Sequence, residues 1–356
     1  MSLSSYKEYQ IVKKQFETEL AQKTSEHLKV ISSIEEPQTY VVVIGESTSS
    51  WHMQLYGYER ETNPRLSEIK DELFVFDSVI APNVHTVLAL EKILTFSDYK
   101  TPNKNDNASI IQLANQAGFT TYWISSQRPI GIHESVAATI ARASDKRVYT
   151  NTEDYNYQIL DNSLLPELDV ILNDEHKKRV IFVHLIGTHI PYDKRYTKSF
   201  DYFNDENINS KFKNEKVIKI VNAYDNATRY NDHIVRSIIE KVKAKQTISY
   251  VTYLSDHGDE VYDTKDFLGH NEYHATRPMY EVPFIVWFSD LYKNKIGNYN
   301  NRAIVQRPYI LEDFIYSFSE ISQIQFKGFD ERKSIFNPNF TKKTRWIKKN
   351  IDYDNR

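Results

Sequence analysis

Apolar residues along this chain fall into short, dense runs, and these runs predict the strands of a buried sheet. The runs are rich in β-branched and aromatic residues, as expected for strands that are covered on both faces. The strand candidates are Tyr40–Ile44, Phe74–Ile80, Phe119–Ile124, Val180–Ile186, Ile248–Leu254 and Val282–Phe288. Longer patterns with helical periodicity lie between them, at Val87–Leu94, Ser109–Ala117, Ile132–Ala143 and Tyr224–Val242.

The alternation of strands and helices predicts the fold class. Tyr230, Ile234, Ile238 and Val242 form one apolar stripe on the last helix, which is typical of a helix packed on a sheet. Strands that alternate with helices favour βαβ units and a mostly parallel sheet with helices on both faces. We therefore expect an α/β fold, organised as a three-layer α/β/α sandwich around a mostly parallel central sheet.

The first part of the chain has a different character from the rest. Residues Ser5–Ile34 are polar and helix-prone, contain no glycine or proline, and end shortly before Pro37. We interpret residues 1–36 as an N-terminal helical connector and residues 37–350 as the main domain. Two stretches rich in Asn and Lys, Thr101–Asn107 and Asn204–Lys216, are predicted to be exposed loops.

Polar residues follow four of the predicted strands, close to the point where each strand ends. They are Glu46, Thr86, His189 and the adjacent pair Asp256–His257. The carboxyl ends of parallel strands meet at one edge of an α/β sheet, which is where ligands bind. We therefore expect these side chains to lie close together.

The residue types in this group suit a divalent metal. Glu46, Asp256 and His257 are oxygen and nitrogen donors of the kind that bind zinc or manganese, and they leave a coordination position open. Thr86 is the candidate nucleophile, because it begins an apolar helix whose N-terminus would favour a phosphate group. Coordination to a metal would lower the pKa of its hydroxyl.

Each ligand candidate also has a purely structural interpretation. Glu46 can be a surface carboxylate paired with Arg60 or Arg65. His189 can be a core histidine whose nitrogens are satisfied by backbone carbonyls, and a buried Asp–His pair can be structural.

The nucleophile has alternatives as well. Thr86 alone can be a helix N-cap, a position where Ser and Thr are favoured. Other hydroxyls follow the first strong strand and compete for the role, although such a run is more often a turn that caps the next helix. They belong to Ser47, Thr48, Ser49 and Ser50.

Composition excludes several classes of function. The net charge is only −3 and no basic stripe stands out, so nucleic-acid binding has no electrostatic support. The chain has no cysteine, which excludes disulfides, thiolate metal sites and cysteine nucleophiles. No apolar run approaches the roughly 20 residues that span a bilayer, so we expect a soluble chain.

Several segments together resemble the bacterial phosphoethanolamine transferases, which are membrane-anchored members of the alkaline phosphatase superfamily, close in fold to sulfatases. The segments are Gly45–Ser47, Leu55–Pro64, His184–His189, Ser255–Gly258 and the tail motif Asn337–Ile347. The similarity runs from about Tyr40 to this tail motif and is strongest to the branch that modifies the lipopolysaccharide core. It implies an alkaline phosphatase-like fold and a catalytic domain over residues 37–350.

The resemblance also implies roles for individual residues. The zinc ligands of the family correspond to Glu46, Thr86, Asp256 and His257. Thr86 corresponds to the threonine that becomes covalently loaded with phosphoethanolamine.

Two further histidines of the family lie near the transferring phosphate. One corresponds to His189 and the other to His270, with His274 as a neighbouring alternative for the second. These histidines are also candidate ligands of a second metal.

The family implies partners and a location. Phosphatidylethanolamine is the expected donor, and lipopolysaccharide (a core sugar or lipid A) or another surface glycan is the expected acceptor. Because the family has N-terminal membrane helices that this chain lacks, we expect the soluble catalytic domain of a longer protein, at the periplasmic face of the inner membrane. Relatives that modify lipid A have Cys-Gly-Thr at the nucleophile, whereas Val84–His85 precedes Thr86 here, which counts against that branch.

Other functions fit parts of the pattern. A sulfatase needs a Cys or Ser in a Cys/Ser-x-Pro-x-Arg context, and the sequence contains neither form. A metal-dependent phosphodiesterase differs from a transferase only in what attacks second, so it stays open. A catalytically silent module that binds glycolipid is the alternative from a different class.

Overall fold

The computed structural model describes residues 18–98, 107–129, 136–154, 156–297, 302–348 and 350–355. Its strands are β1 (Val30–Ser32), β2 (Gln38–Gly45), β3 (Leu73–Val75), β4 (Val79–Ile80), β5 (Thr120–Ser125), β6 (Lys146–Tyr149), β7 (Lys178–His184), β8 (Ile248–Ser255), β9 (Glu260–Val261), β10 (Leu268–Gly269), β11 (Phe284–Phe288), β12 (Tyr309–Ile310), β13 (Gln325–Phe326), β14 (Trp346–Ile347) and β15 (Ile351–Asp352). Its α-helices are α1 (Pro64–Ser67), α2 (Thr86–Leu94), α3 (Ile110–Gln116), α4 (Val136–Ala141), α5 (Leu164–Leu172), α6 (Glu215–Lys243), α7 (Arg277–Tyr280), α8 (Asp290–Lys295) and α9 (Phe314–Ile321).

Seven of these strands form one mixed sheet in the order β3-β11-β8-β2-β7-β5-β6. The five strands from β8 to β6 pair in parallel, whereas β11 is antiparallel to both of its neighbours. The predicted α/β fold with a mostly parallel sheet is therefore confirmed. The central position of β2 places the loop after it in the middle of the sheet edge.

Helices cover both faces of this sheet, so the three-layer arrangement is also confirmed. In β2, Tyr40, Val42 and Ile44 point into one apolar cluster, while Val41 and Val43 point into a second. Helices α2, α3, α4 and α9 contribute to the first cluster, and α5 and α6 contribute to the second. This alternation follows from the period of two along a strand.

The predicted elements differ from the observed ones in several places. The run Phe74–Ile80 was predicted as one strand, and that is wrong: it splits into β3, in the main sheet, and β4, which pairs in parallel with β12 outside it. Asp77, which is exposed, interrupts the run between the two strands. The strand predicted from Val282 begins at Phe284. Part of the predicted helix Ile132–Ala143 lies outside the described residues, and the described part is α4.

The long helix α6 begins nine residues before the predicted start. The side chain of Asn214 caps it by accepting the backbone N–H of Val217 at 3.0 Å, which ends the predicted loop at this point. The apolar stripe predicted on this helix is buried against the sheet. No helix in the described part of the chain is both long and apolar enough to cross a bilayer. The other predicted loop, Thr101–Asn107, lies almost entirely outside the described residues.

The N-terminal segment is not the continuous helix that its composition predicts. Its residues before 18 lie outside the described part, and beyond residue 20 the prediction is wrong because the chain turns and then forms β1. Leu20 and Leu28 are buried in the main core, and the side-chain amide of Gln112 donates to three backbone carbonyls between residues 19 and 24. These tertiary hydrogen bonds satisfy backbone carbonyls that would accept N–H groups of the same segment in a helix. The domain boundaries at residues 36 and 350 stay predictions.

Candidate functional site

The loops that follow β2 and β8 bring two carboxylates and an imidazole together at the sheet edge. These strands pair in parallel with Gly45 opposite Ser255, so Glu46 and Asp256 leave the sheet side by side. Glu46, Asp256 and His257 are all buried. His257 Nε2 lies 3.3 Å from Glu46 Oε1 and 3.5 Å from Asp256 Oδ2.

Thr86 turns its hydroxyl toward this group. It is the first residue of α2, and its Oγ1 lies 3.2 Å from Glu46 Oε1 and 3.2 Å from His257 Nε2. The N-cap position is occupied by His85, which makes no side-chain capping bond. The capping interpretation of Thr86 is therefore wrong, since its hydroxyl contacts the acidic group at the start of the helix.

The donor set fits a divalent cation such as zinc. Asp256 Oδ1 accepts the backbone N–H groups of Ser47 and His257, whereas its buried Oδ2 has no hydrogen-bond partner. His257 Nδ1 donates to the carbonyl of Gly258 at 3.0 Å, which leaves a lone pair on Nε2 to face the carboxylates. One ligand atom from each of Glu46, Asp256 and His257 lies within 4.8 Å of the others.

The pKa shifts of this group favour a positive charge beside Glu46. Burial, together with the charge of Glu46, raises the pKa of Asp256 well above its usual value. Burial acts in the same direction on Glu46, but the hydrogen bond and charge of His257 outweigh it and hold the pKa of Glu46 well below its usual range. Burial lowers the pKa of His257, yet the two carboxylates raise it to about 10. For both carboxyls to be ionised in this buried place, a positive charge must lie between them, which protonated His257 or a divalent cation supplies.

Three further histidines surround this group. The ring centroid of His270 lies 4.1 Å from that of His257 and 6.4 Å from that of His85. His189 is half-buried, and a positive charge on His189 or His270 would lower the pKa of Glu46. His274 is exposed at the end of a short 3₁₀ helix, so the structure places His270 rather than His274 beside the candidate ligands.

The surroundings of His189 bear on its interpretation as a core histidine. Its Nδ1 contacts the carbonyl of Ile190, but the side chain is not enclosed in the core.

The loop that carries His189 is held at two points. The backbone N–H of Thr188 donates to the carbonyl of Glu46 at 3.0 Å, and Arg195 Nε donates to the carbonyl of His189 at 2.8 Å. His189 is thus fixed relative to Glu46.

Two glycines allow the loops to approach one another. A Cβ atom on Gly187 would lie 2.7 Å from the carbonyl oxygen of Glu46, and Gly187 has a φ of 54°. A Cβ atom on Gly258 would lie 2.2 Å from the carbonyl oxygen of Pro278. Any side chain at these positions would push Glu46 or His257 out of place.

The surface interpretation of Glu46 is wrong, because the arginines proposed as its partners are engaged elsewhere. Arg60 pairs with Asp205 and Asp225, and Arg65 lies 3.6 Å from Glu240. Glu46 itself is 1% exposed.

The competing hydroxyls have local partners. Ser49 accepts the N–H of Trp51 and caps a 3₁₀ helix, and Ser50 donates to the carbonyl of Glu281. Thr48 bonds to the carbonyl of Glu46. Ser47 Oγ donates to Glu46 Oε1 at 2.9 Å, so it is a second hydroxyl at the edge of the group.

A buried ionic cluster anchors the loop after β2 to helix α6. His52 is 1% exposed, and its Nδ1 lies 2.7 Å from Asp225 while its Nε2 lies 3.1 Å from Asp263. Tyr224, the residue before Asp225, donates its hydroxyl to the carbonyl of Ser47 at 2.7 Å. Burial lowers the pKa of His52, but the two carboxylates outweigh burial and raise it to about 10.

This cluster predicts a pH dependence of stability. Because the pKa of His52 is higher in the folded state than its usual 6.5, the contribution of the protonated ring is fully present below pH 6.5. It is lost as the pH rises through about 10. Between pH 7 and 10, we expect the free energy of unfolding of the wild type to fall by on the order of 3 kcal/mol more than that of His52→Gln. Denaturant titrations of both proteins across this range measure the difference, and parallel pH profiles would show that His52 does not titrate there.

Three residues around the site were not predicted from the sequence. One is His85, which directly precedes Thr86 and whose ring centroid lies 6.4 Å from that of His270. Asp259 contacts His270 Nδ1 at 2.8 Å, and Tyr192 donates to the other oxygen of Asp259 at 2.7 Å. The signals available were the adjacency of His85 to Thr86 and the acidic residue two positions after His257.

The same region contains a second group of metal-binding residue types: His257, Asp259 and His270. It shares His257 with the first group. Both oxygens of Asp259 already have hydrogen-bond partners, so within the described residues this group is a hydrogen-bonded network. A second metal near His189 and His270 stays a prediction.

The chain is similar to known proteins over most of its length. Residues 38–324 match the sulfatase family. The chain is 36% identical to phosphoethanolamine transferase EptC of Escherichia coli K12 over 90% of its own length and 58% of that protein. It is 35% identical to phosphoethanolamine transferase CptA of Salmonella typhimurium over 89% of its length and 57% of that protein. The chain therefore spans less than two thirds of these curated relatives.

A solved structure resembles the chain over nearly its whole length. The C-terminal periplasmic domain of EptC from Escherichia coli, in complex with Zn, superimposes with a TM-score of 0.87 at 36% identity. The alignment covers 92% of this chain and 96% of that domain.

Proposed function

Because this chain belongs to the sulfatase family, we propose that it is the catalytic part of a zinc-dependent phosphoethanolamine transferase. The observation that carries the proposal is the position of Thr86, whose hydroxyl lies 3.2 Å from both Glu46 and His257 at the start of a helix. The relatives named phosphoethanolamine transferases and the zinc complex of the similar domain support it.

The ligands in this proposal are Glu46, Thr86, Asp256 and His257. When bound, Zn²⁺ supplies Lewis acidity that favours ionisation of a hydroxyl and neutralises charge on phosphoryl oxygens. Manganese suits the same donors, and a second metal near His189 and His270 belongs to the proposal as a separate expectation.

In the first half of the reaction, Thr86 Oγ1 attacks the phosphorus of phosphatidylethanolamine. The Thr86 hydroxyl, whose Oγ1 lies 3.2 Å from Glu46 Oε1, gives its proton to that carboxylate. A bond forms between Oγ1 and phosphorus, and the bond from phosphorus to the diacylglycerol oxygen breaks. His189 and His270 contact the phosphoryl oxygens, and one of them protonates the leaving oxygen. The first N–H groups of α2 have no intrahelical acceptor and favour the phosphoryl charge.

In the second half, a hydroxyl of the acceptor attacks the phosphorus of phosphothreonine. The acceptor's proton passes to the histidine that protonated the diacylglycerol oxygen. The bond from phosphorus to Thr86 Oγ1 breaks, phosphoethanolamine passes to the acceptor, and Oγ1 takes back the proton that Glu46 accepted. We propose lipopolysaccharide as the acceptor, through a core sugar or lipid A, with another surface glycan as the alternative. The proposed location is the periplasmic face of the inner membrane, in a protein that is membrane-anchored through a segment outside this chain.

Mass spectrometry tests the proposal directly. We expect zinc-loaded protein incubated with phosphatidylethanolamine to gain one phosphoethanolamine group, and peptide mapping should place it on Thr86. Thr86→Ala should gain none, whereas Ser47→Ala, which removes the other hydroxyl next to Glu46, should still be labelled.

The fate of the label separates the alternatives. A label that is discharged faster when lipopolysaccharide is added indicates a transferase. A label lost to water at the same rate with or without acceptor indicates a phosphodiesterase. Protein that binds glycolipid but is never labelled would contradict the proposal.

A further inference from the structure

Asp259 connects the two loops that carry the candidate phosphoryl-binding histidines. It lies two residues after His257 and is 1% exposed. Its Oδ1 lies 2.8 Å from His270 Nδ1, and its Oδ2 accepts the hydroxyl of Tyr192 at 2.7 Å. Tyr192 follows His189 by three residues on the same loop. One buried carboxylate is therefore bonded to both loops.

This contact determines how the His270 ring is presented. An ionised carboxylate only accepts hydrogen bonds, so His270 Nδ1 must carry the hydrogen. Nε2 is then the nitrogen left to face the site, next to the His257 ring at 4.1 Å. The side chain of His270 is 28% exposed, and the bond to Asp259 restrains its ring against rotation toward solvent.

Tyr192 determines the orientation of the carboxylate in turn. Tyr192 is buried against Val217, Val221 and Tyr224 and therefore offers a fixed donor to Asp259 Oδ2. With one oxygen held by Tyr192, the other oxygen is directed at His270. The order Tyr192, Asp259, His270 is thus a chain of bonds that begins in the core and ends at the site.

We propose that Asp259 is a positioning residue for the transfer reaction. Together with Tyr192, it holds the His270 imidazole in one orientation and one tautomer, and its whole contribution to the rate passes through His270. This inference rests on the proposed transferase function. It assigns Asp259 no contact with the substrate and no role as a metal ligand.

A double-mutant cycle tests whether the effect passes through His270. In Asp259→Asn, the amide can donate to Nδ1 and favour the other tautomer, so we expect the rate of Thr86 labelling to fall by about 10–100-fold. Zinc content should stay unchanged. In the His270→Ala background, Asp259→Asn should change the rate by less than about twofold, because the imidazole that Asp259 positions is absent. Tyr192→Phe should give a smaller loss than Asp259→Asn.

Asp232→Asn is the matched control. Asp232 is also buried, and its carboxylate accepts the backbone N–H groups of Arg65 and Leu66 in α1, away from the chain of bonds through Asp259. Its substitution should alter thermal stability without altering the labelling rate. A full loss from Asp259→Asn in the His270→Ala background, or a loss that follows zinc content, would overturn the proposal.

Nitrogen-15 NMR of the histidine rings provides a readout that needs no turnover. We expect His270 to carry its hydrogen on Nδ1 in the wild type and to shift toward the Nε2–H tautomer in Asp259→Asn. If the wild-type ring carries its hydrogen on Nε2, the positioning role is wrong even where Thr86 is labelled. If Thr86 is never labelled while the Nδ1–H signal is present, the transferase function fails and the hydrogen-bonded chain stands.

Discussion

Replacing Thr86 with alanine is expected to lower the rate of phosphoethanolamine transfer by about 10⁴-fold or more, as removal of a catalytic nucleophile does in other enzymes. The substitution removes the only atom that forms the proposed covalent bond to phosphorus. Thr86 is half-buried at the first position of α2 and makes no capping bond, so the helix should keep its stability. Transfer from phosphatidylethanolamine to lipopolysaccharide, measured by mass spectrometry of the acceptor, gives the rate.

Two further variants test whether the loss of transfer is specific to the Thr86 hydroxyl. Thr86→Ser keeps a hydroxyl at the same position and should keep measurable transfer. Ser47→Ala removes the hydroxyl that lies 2.9 Å from Glu46 and should have a small effect. If Thr86→Ala stays active and Ser47→Ala is inactive, the nucleophile is Ser47 and the proposed mechanism is wrong.

Replacing His257 with alanine is expected to abolish stoichiometric zinc binding. His257 lies between two buried carboxylates and supplies the one nitrogen of the candidate ligand set. Its removal leaves oxygen donors alone, which bind zinc less well than a mixed set. Zinc per protein chain, measured by elemental analysis after dialysis, should fall to the background level.

Thermal unfolding gives a second measurement of the same effect. Zinc at about 100 times its Kd stabilises a folded protein by about 2.7 kcal/mol, so the wild type should melt at a higher temperature with zinc than without it. His257→Ala should show no such increase. His274→Ala, at an exposed histidine a few residues beyond the site, is the control and should respond to zinc as the wild type does. An unchanged zinc content in His257→Ala would reject this residue as a ligand.

Much of the fold could be predicted from local patterns. The runs Val41–Val43 and Val180–Val183 are apolar at every position, and Val251–Leu254 is apolar except at Thr252. This is the pattern of strands buried on both faces. The stripe on α6 shows which side of that helix faces the sheet. Such patterns succeed because the spacing of apolar residues along the chain sets which faces of an element are apolar.

The same reasoning failed where distant residues decide the local structure. Residues 21–34 have the composition of a helix, but Leu20 and Leu28 are drawn into the core and Gln112 binds the backbone carbonyls near them. The strand predicted over Phe74–Ile80 splits because its second half finds a separate partner in β12. Local propensity does not decide the structure where tertiary hydrogen bonds and burial stabilise the chain by more than a continuous helix or strand would.

For the site, the sequence by itself determined which residue types follow the strands and that their chemistry suits a metal and a phosphoryl group. Only the tertiary structure decided that Thr86 faces Glu46 and His257, that His270 rather than His274 lies beside them, and that Asp259 and Tyr192 hold His270. The physical reason is that strand direction brings loops to one edge of a sheet, whereas distances of about 3 Å between side chains depend on how every loop packs against the others.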